Sequence, residues 1–152
     1  MSTAIICHTD QNVVGDLQTV LSEMPDLVVS HVVTSTVELR KIVDKDAPDL
    51  VLIGDQTGPD PVEDVCRAFL STHPSTAVVQ VLAQRSPQSA LRAMESGARG
   101  VVSQPFVFED VSERVSNALE YVETMRRVIA GTAAKRRRRG RLVCVAGAKG
   151  GV

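Results

Sequence analysis

Short, almost wholly apolar runs recur through the first hundred residues: Ala4-Ile5-Ile6-Cys7, Leu50-Val51-Leu52-Ile53, the stretch 77–82, and Gly100-Val101-Val102-Ser103. Neighbouring side chains of a strand point to opposite faces, so a strand apolar at consecutive positions must be covered on both sides. The Val-rich stretch 27–33 reads as one more strand. Between these runs the apolar residues return at helical spacing instead: Val13, Val14, Leu17, Val20, Leu21 and Met24 before the second strand, Val37, Leu39, Ile42 and Val43 after it.

Local signals mark where these helices begin and end. Ser35-Thr36-Val37-Glu38 has the form of a capping box. Asp60-Pro61-Val62-Glu63 offers an N-cap, a proline for the first helical position and an acid in the first turn. The helix it opens is expected to bury Val62, Val65, Cys66 and Phe69. Ser86-Pro87 opens a fourth helix, with Leu91 and Met94 on its core stripe and Gly97 ending it. The last helix carries Val111, Val115, Leu119, Val122 and Ile129, and ends before Gly131 as a stalk longer than the strand beside it. Five strands alternating with five helices predict an α/β fold, a doubly wound parallel sheet covered by helices on both faces. With no Trp in 152 residues, the core must be aliphatic.

Charge divides the chain more sharply than hydropathy does. Of 17 Lys and Arg, seven lie in residues 135–152, a stretch without acids; the 18 Asp and Glu thus face ten bases in residues 1–134, a net of −8. Six of the seven are Lys135, Arg136, Arg137, Arg138, Arg139 and Arg141. Such a run can bind DNA or anionic membrane weakly and without sequence preference by releasing counterions, or stay solvated, or dock on the acidic domain. Cys7, Cys66 and Cys144 are widely separated among apolar residues and read as buried thiols. The N-terminus has no basic region ahead of an apolar run, and no stretch approaches spanning length, so a cytoplasmic protein is expected.

From residue 3 to about 128 the order of blocks resembles the response-regulator receiver family. The resemblance rests on Pro48-Asp49-Leu50-Val51-Leu52-Ile53, on Ala90-Leu91-Arg92-Ala93-Met94-Glu95-Ser96-Gly97-Ala98-Arg99-Gly100, and on Gln104-Pro105-Phe106 where receivers have Lys-Pro-Phe with a cis proline. It implies a (βα)5, flavodoxin-like sheet in strand order 2-1-3-4-5. It also implies a phosphorylation site beyond the strand ends: two acids, an acceptor Asp, a hydroxyl and a Lys, with Mg²⁺ on the carboxylates. Here those positions hold His8 and Thr9 (Asp10 only adjacent), Gly54, Leu82 and Gln104. Metal, nucleophile and counter-charge go together, so no metal is expected. Asp55 is the one substitute acceptor, but strand alternation aims it away from position 54 unless the register slips. His8 reads as a strand-end histidine satisfied by backbone groups. The resemblance further implies association through the fourth helix, fifth strand and last helix, where Arg92, Glu95 and Arg99 are the informative polar positions.

Residues 142–152, Leu-Val-Cys-Val-Ala-Gly-Ala-Lys-Gly-Gly-Val, are read as a strand entering a phosphate-binding loop. Lys149, Gly150 and Gly151 resemble the opening of the deviant Walker A motif of ParA/MinD ATPases, and the segment stops before the Gly-Lys-Ser/Thr half. The expected organisation is a pseudo-receiver over 1–130, a basic linker over 131–141, and the start of an ATPase domain over 142–152. That combination resembles the CpaE/TadZ family. It implies a regulatory or localisation module without a cofactor or catalysis of its own, and ATP with Mg²⁺ in the ATPase domain that follows. It implies as partners that ATPase domain, a second copy, and the Flp/Tad (type IVb) pilus machinery at the cell pole, septum site or inner membrane face. The competing expectations are a receiver phosphorylated on Asp55 and a basic-tailed nucleic-acid-binding regulator.

Overall fold

The computed structural model of the chain describes the backbone of residues 2–84 and 86–146, and side chains as far as residue 132. Ten elements follow in strict alternation: β1 (Ser2–Cys7), α1 (Gln11–Leu21), β2 (Leu27–Val33), α2 (Thr36–Asp46), β3 (Leu50–Gly54), α3 (Val62–Thr72), β4 (Ala77–Leu82), α4 (Pro87–Glu95), β5 (Gly100–Ser103) and α5 (Phe108–Ala146). The strands are all parallel, in the order β2-β1-β3-β4-β5. Alternate residues of β1, β3 and β4 feed two separate cores. Ala4, Ile6, Leu50, Leu52 and Val79 pack against α1 and α5; Ile5, Cys7, Val51, Ile53 and Val78 pack against α2, α3 and α4. Every residue of β3 and β4 is buried, as the unbroken apolar runs require.

The caps follow the sequence at α2 and α4. Ser35 Oγ accepts from Glu38 N–H at 3.2 Å, Ser86 Oγ accepts from Ser89 N–H at 3.1 Å, and Gly97, at φ +107°, turns the chain out of α4. Asp60 departs from the expectation. Pro61 takes the cap position of α3 without any side-chain bond, while the Asp60 carboxylate accepts from Arg40 Nε at 3.1 Å and Thr36 Oγ1 at 3.4 Å. A carboxylate that can meet a guanidinium gains a charge-assisted bond, which outweighs a cap to a neutral N–H. Val62, Val65, Cys66 and Phe69 are buried as expected, but α4 is not: it buries Ala93, leaving Leu91 60% and Met94 51% exposed. Helical spacing places residues on one stripe without saying which stripe faces the sheet.

A second difference concerns α5, which runs without interruption over residues 131–141, expected as a linker, and 142–146, expected as a strand. Residues 133–139 are Ala-Ala-Lys-Arg-Arg-Arg-Arg, strong helix formers following an established helix, so each added residue gains a bond without a new nucleus. A strand there would leave its backbone groups without a ladder. At a rise of about 1.5 Å per residue the 39 residues extend roughly 58 Å, and the helix outruns the sheet by several turns.

Asp49 ties the base of the sheet together. Its Oδ2 accepts from Thr3 N–H of β1 at 2.8 Å, its carbonyl accepts from Ala77 N–H of β4 at 2.9 Å, and its Oδ1 pairs with Arg126 on α5. The carboxylate is almost fully buried whereas the guanidinium is half exposed. Asp49→Ala should therefore destabilise the fold by about 2–3 kcal/mol, the loss of a charged acceptor under a part-buried N–H. Arg126→Ala should cost less than about 1 kcal/mol, because a half-exposed partner is replaced by water. Urea unfolding of the two variants checks the asymmetry.

Candidate functional site

Parallel pairing brings the carboxyl ends of four strands side by side, since Cys7 pairs with Ile53, Gly54 with Val81, and Leu82 with Ser103. The residues that follow them therefore meet at one place. His8, Thr9, Asp10, Asp55, Leu82 and Gln104 line a single depression of about 250 Å³, together with Val13, Gln56, Val81 and Ala83. The strand ends are legible in the sequence, because each lies where an apolar run stops.

Its interior is filled in an unexpected way. The imidazole of His8 lies directly over the Cα of Gly54: a Cβ at position 54 would stand 2.4 Å from His8 Cδ2 and 2.7 Å from Nε2. Real carbons do not approach so closely, so a side chain at position 54 would require the ring to move. Sequence inspection finds each of these residues but not their coupling, because forty-five positions separate them along the chain.

The β1–α1 connection holds the ring. Asp10 N–H donates to His8 Nδ1 at 2.9 Å, which leaves Nδ1 unprotonated and puts the ring proton on Nε2. Asp10 in turn caps α1, its Oδ1 accepting from Asn12 N–H at 2.9 Å. Burial holds the His8 imidazole below its ordinary value of 6.5, against the opposing pull of the Asp10 and Asp55 carboxylates. Burial also pushes the neighbouring Cys7 thiol up to about 12, with Glu38 adding to the shift, and raises Cys66 in the same way. Neither thiol is a nucleophile at neutral pH. The side chain of Cys144 lies outside the described residues.

These groups do not fit the Mg²⁺ of a receiver. Mg²⁺ takes hard oxygen ligands in octahedral array. Position 8 supplies a nitrogen already engaged, position 54 supplies nothing, and Asp10 spends an oxygen on its cap. No group of three His, Cys, Asp or Glu able to hold a metal ion occurs among the described residues. Asp55 is exposed at the rim; its N–H donates to Val81 O at 3.3 Å. Gln104 follows β5 into a cis peptide with Pro105 and brings an amide where a cation would be needed.

The other expected site residues lie elsewhere. Arg92 and Glu95 are exposed on α4. Arg99 is engaged within the chain, its guanidinium stacked 3.8 Å above the Tyr121 ring of α5. Residues 135–141 are helical, their side chains outside the described set, and Lys149, Gly150 and Gly151 lie wholly outside the described residues.

No protein-family model matches the chain, and no curated protein does. Solved structures do. The chain is similar to the signal receiver domain of the response regulator NarL from Mycobacterium tuberculosis, at 15% identity and TM-score 0.71, over 78% of this chain and 96% of that one. A response-regulator receiver domain from Clostridium thermocellum matches at 18% identity and TM-score 0.71, over 82% and 99%. A CheY-like receiver from Methanospirillum hungatei matches at 14% and 0.69, over 82% and 98%. The fold is that of receiver domains.

Two expectations follow from the His8–Gly54 contact. Gly54→Ala should destabilise the protein by about 1–3 kcal/mol through overpacking, and the penalty should largely vanish in a His8→Ala background, a coupling that a double-mutant cycle measures. By NMR, His8 should titrate below 6.5. Because the fold favours the neutral ring, the stability His8 contributes is complete above the unfolded value and is lost as pH falls below it.

Proposed function

We propose that the chain is a receiver-like regulatory or localisation module that does not take up phosphoryl groups. We further propose that it belongs to a CpaE/TadZ-like ATPase of the ParA/MinD type, acting in Flp/Tad pilus assembly or in polar or septum-site positioning. One observation carries the first part: the His8 ring occupies the volume that an acceptor side chain at position 54 would need. Gln104 supports it, since an amide cannot supply the counter-charge a phosphoryl group requires. A fold kept without that chemistry is most simply used for binding. The ATPase assignment rests on the likeness of residues 142–152 to a strand and the opening of a deviant Walker A loop. In that reading residues 142–146, helical here, become a strand once an ATPase sheet is present to pair with them. Lys149, Gly150 and Gly151 then contact ATP held with Mg²⁺. The partners are the ATPase domain and the pilus machinery, at the pole or the inner membrane face; no helix among the described residues is long and apolar enough to cross a membrane.

A second reading is favoured by Asp55, which is exposed and shares the depression with Asp10 and Gln104. In that reading it accepts the phosphoryl group in place of position 54.

Incubation with Mg²⁺ and acetyl phosphate, followed by intact mass measurement, separates the two. The first reading expects no adduct. A stoichiometric phosphoryl adduct that disappears in Asp55→Ala establishes the second. The ATPase assignment expects Gly-Lys-Ser or Gly-Lys-Thr after Val152 in the longer polypeptide, and ATP binding that is lost in Lys149→Ala.

A further inference from the structure

His8 lines the strand-end depression and is held there by a bond that only the neutral ring can make. Asp10 N–H donates to Nδ1 at 2.9 Å, so the one ring proton sits on Nε2. A second proton has only Nδ1 to bind, and two N–H groups would then face each other across that distance. The bond is lost. The helix that follows adds to the conflict, since Asp10 is the N-cap of α1 and a cation beside a helix N-terminus is repelled.

The surroundings give a charged ring one direction to move. Carboxylates face it from two elements, Asp10 in its own connection and Asp55 just past β3. α1 and β4 contribute apolar side chains, Val13 and Leu82, and β5 leads into the uncharged Gln104. Asp10 Oδ1 already caps Asn12 N–H, whereas Asp55 is exposed at the rim. An imidazolium therefore gains by swinging from Gly54 toward the rim, and the space over the Gly54 Cα empties. The backbone of His8 is held independently, its N–H donating to Val33 O at 3.0 Å. The change passes forward instead, through the freed Asp10 N–H, to the first turn of α1. Val13, Val14 and Leu17 of that helix share one core with Val111 and Val115 of α5.

We infer that protonation of His8 is the input this depression takes in place of a phosphoryl group: in acid the ring leaves Gly54, and the β1–α1 connection hands the change to α1 and α5. Burial acts in the same direction as the bond, holding the ring below its ordinary value of 6.5. A group depressed in the folded state favours the closed arrangement fully above that pH, and the arrangement gives way as pH falls below it. The inference deepens, and rests on, the reading of this depression as a site without phosphoryl transfer. The two fail separately, since one is read by a phosphoryl adduct and the other by a titration that contains no phosphodonor.

NMR of the chain from about pH 7.5 to about pH 5 tests it. Near neutrality a nuclear Overhauser effect should join His8 Hδ2 to the Gly54 Hα protons, because Cδ2 is the ring atom nearest to that position. As the ring protonates this effect should be lost. The Asp10 amide proton should move upfield, and it and the Asn12 amide should follow the midpoint of the His8 ring. His8→Asn sets an amide oxygen where Nδ1 stood, an acceptor for Asp10 N–H that does not titrate. In that variant, which keeps His31 and His73, both amides should hold still over the same range. A ring that protonates while its contact with Gly54 persists would overturn the inference. So would an Asp10 amide that does not move, amide shifts that survive in His8→Asn, or a ring still neutral at about pH 5.

Discussion

Burial of β1, β3 and β4 between two helical layers is the constraint from which the rest of this molecule follows. A central strand covered on both faces can carry no free polar side chain along its length, since each would need a partner in an apolar core. Gln80 is the one polar residue of these strands that is buried, and its amide donates to Cys66 and Ser96. Polar groups are therefore pushed to the strand ends. At one end stands Asp49, clasping β1, β3, β4 and α5 from a nearly dry position. At the other end lie His8, Asp10, Asp55 and Gln104, in the depression where this fold places its chemistry.

At position 54 the depression differs from the receiver pattern by exchange as well as by deletion. The ring of His8 takes the space that a side chain at position 54 would fill, and it is held there by the backbone of Asp10. The space beside a glycine at position 54 is thus filled. The charges that remain are engaged or exposed: Asp10 caps α1, and Asp55 sits at the rim.

Contacts are where the asymmetry of charge enters. The basic residues 135–141 continue the helix that packs on the acidic body. Arg126 on Asp49 and Arg99 on Tyr121 anchor α5 along the body, and this fixes the direction in which the basic stretch is presented.

The sequence by itself determined the five-stranded α/β alternation, the bounds of β2, β4 and β5, and the caps of α2 and α4. All of these depend on interactions within a few residues, or on a strand being apolar at consecutive positions. Only the tertiary structure decided that Asp60 serves Arg40 instead of α3, that Leu91 and Met94 face outward, and that α5 continues through residues 131–146. It alone decided that His8 and Gly54 share one volume. Periodicity says that residues lie on a common stripe; which stripe meets the sheet, and which distant side chain occupies a given space, are set by the packing of the whole chain.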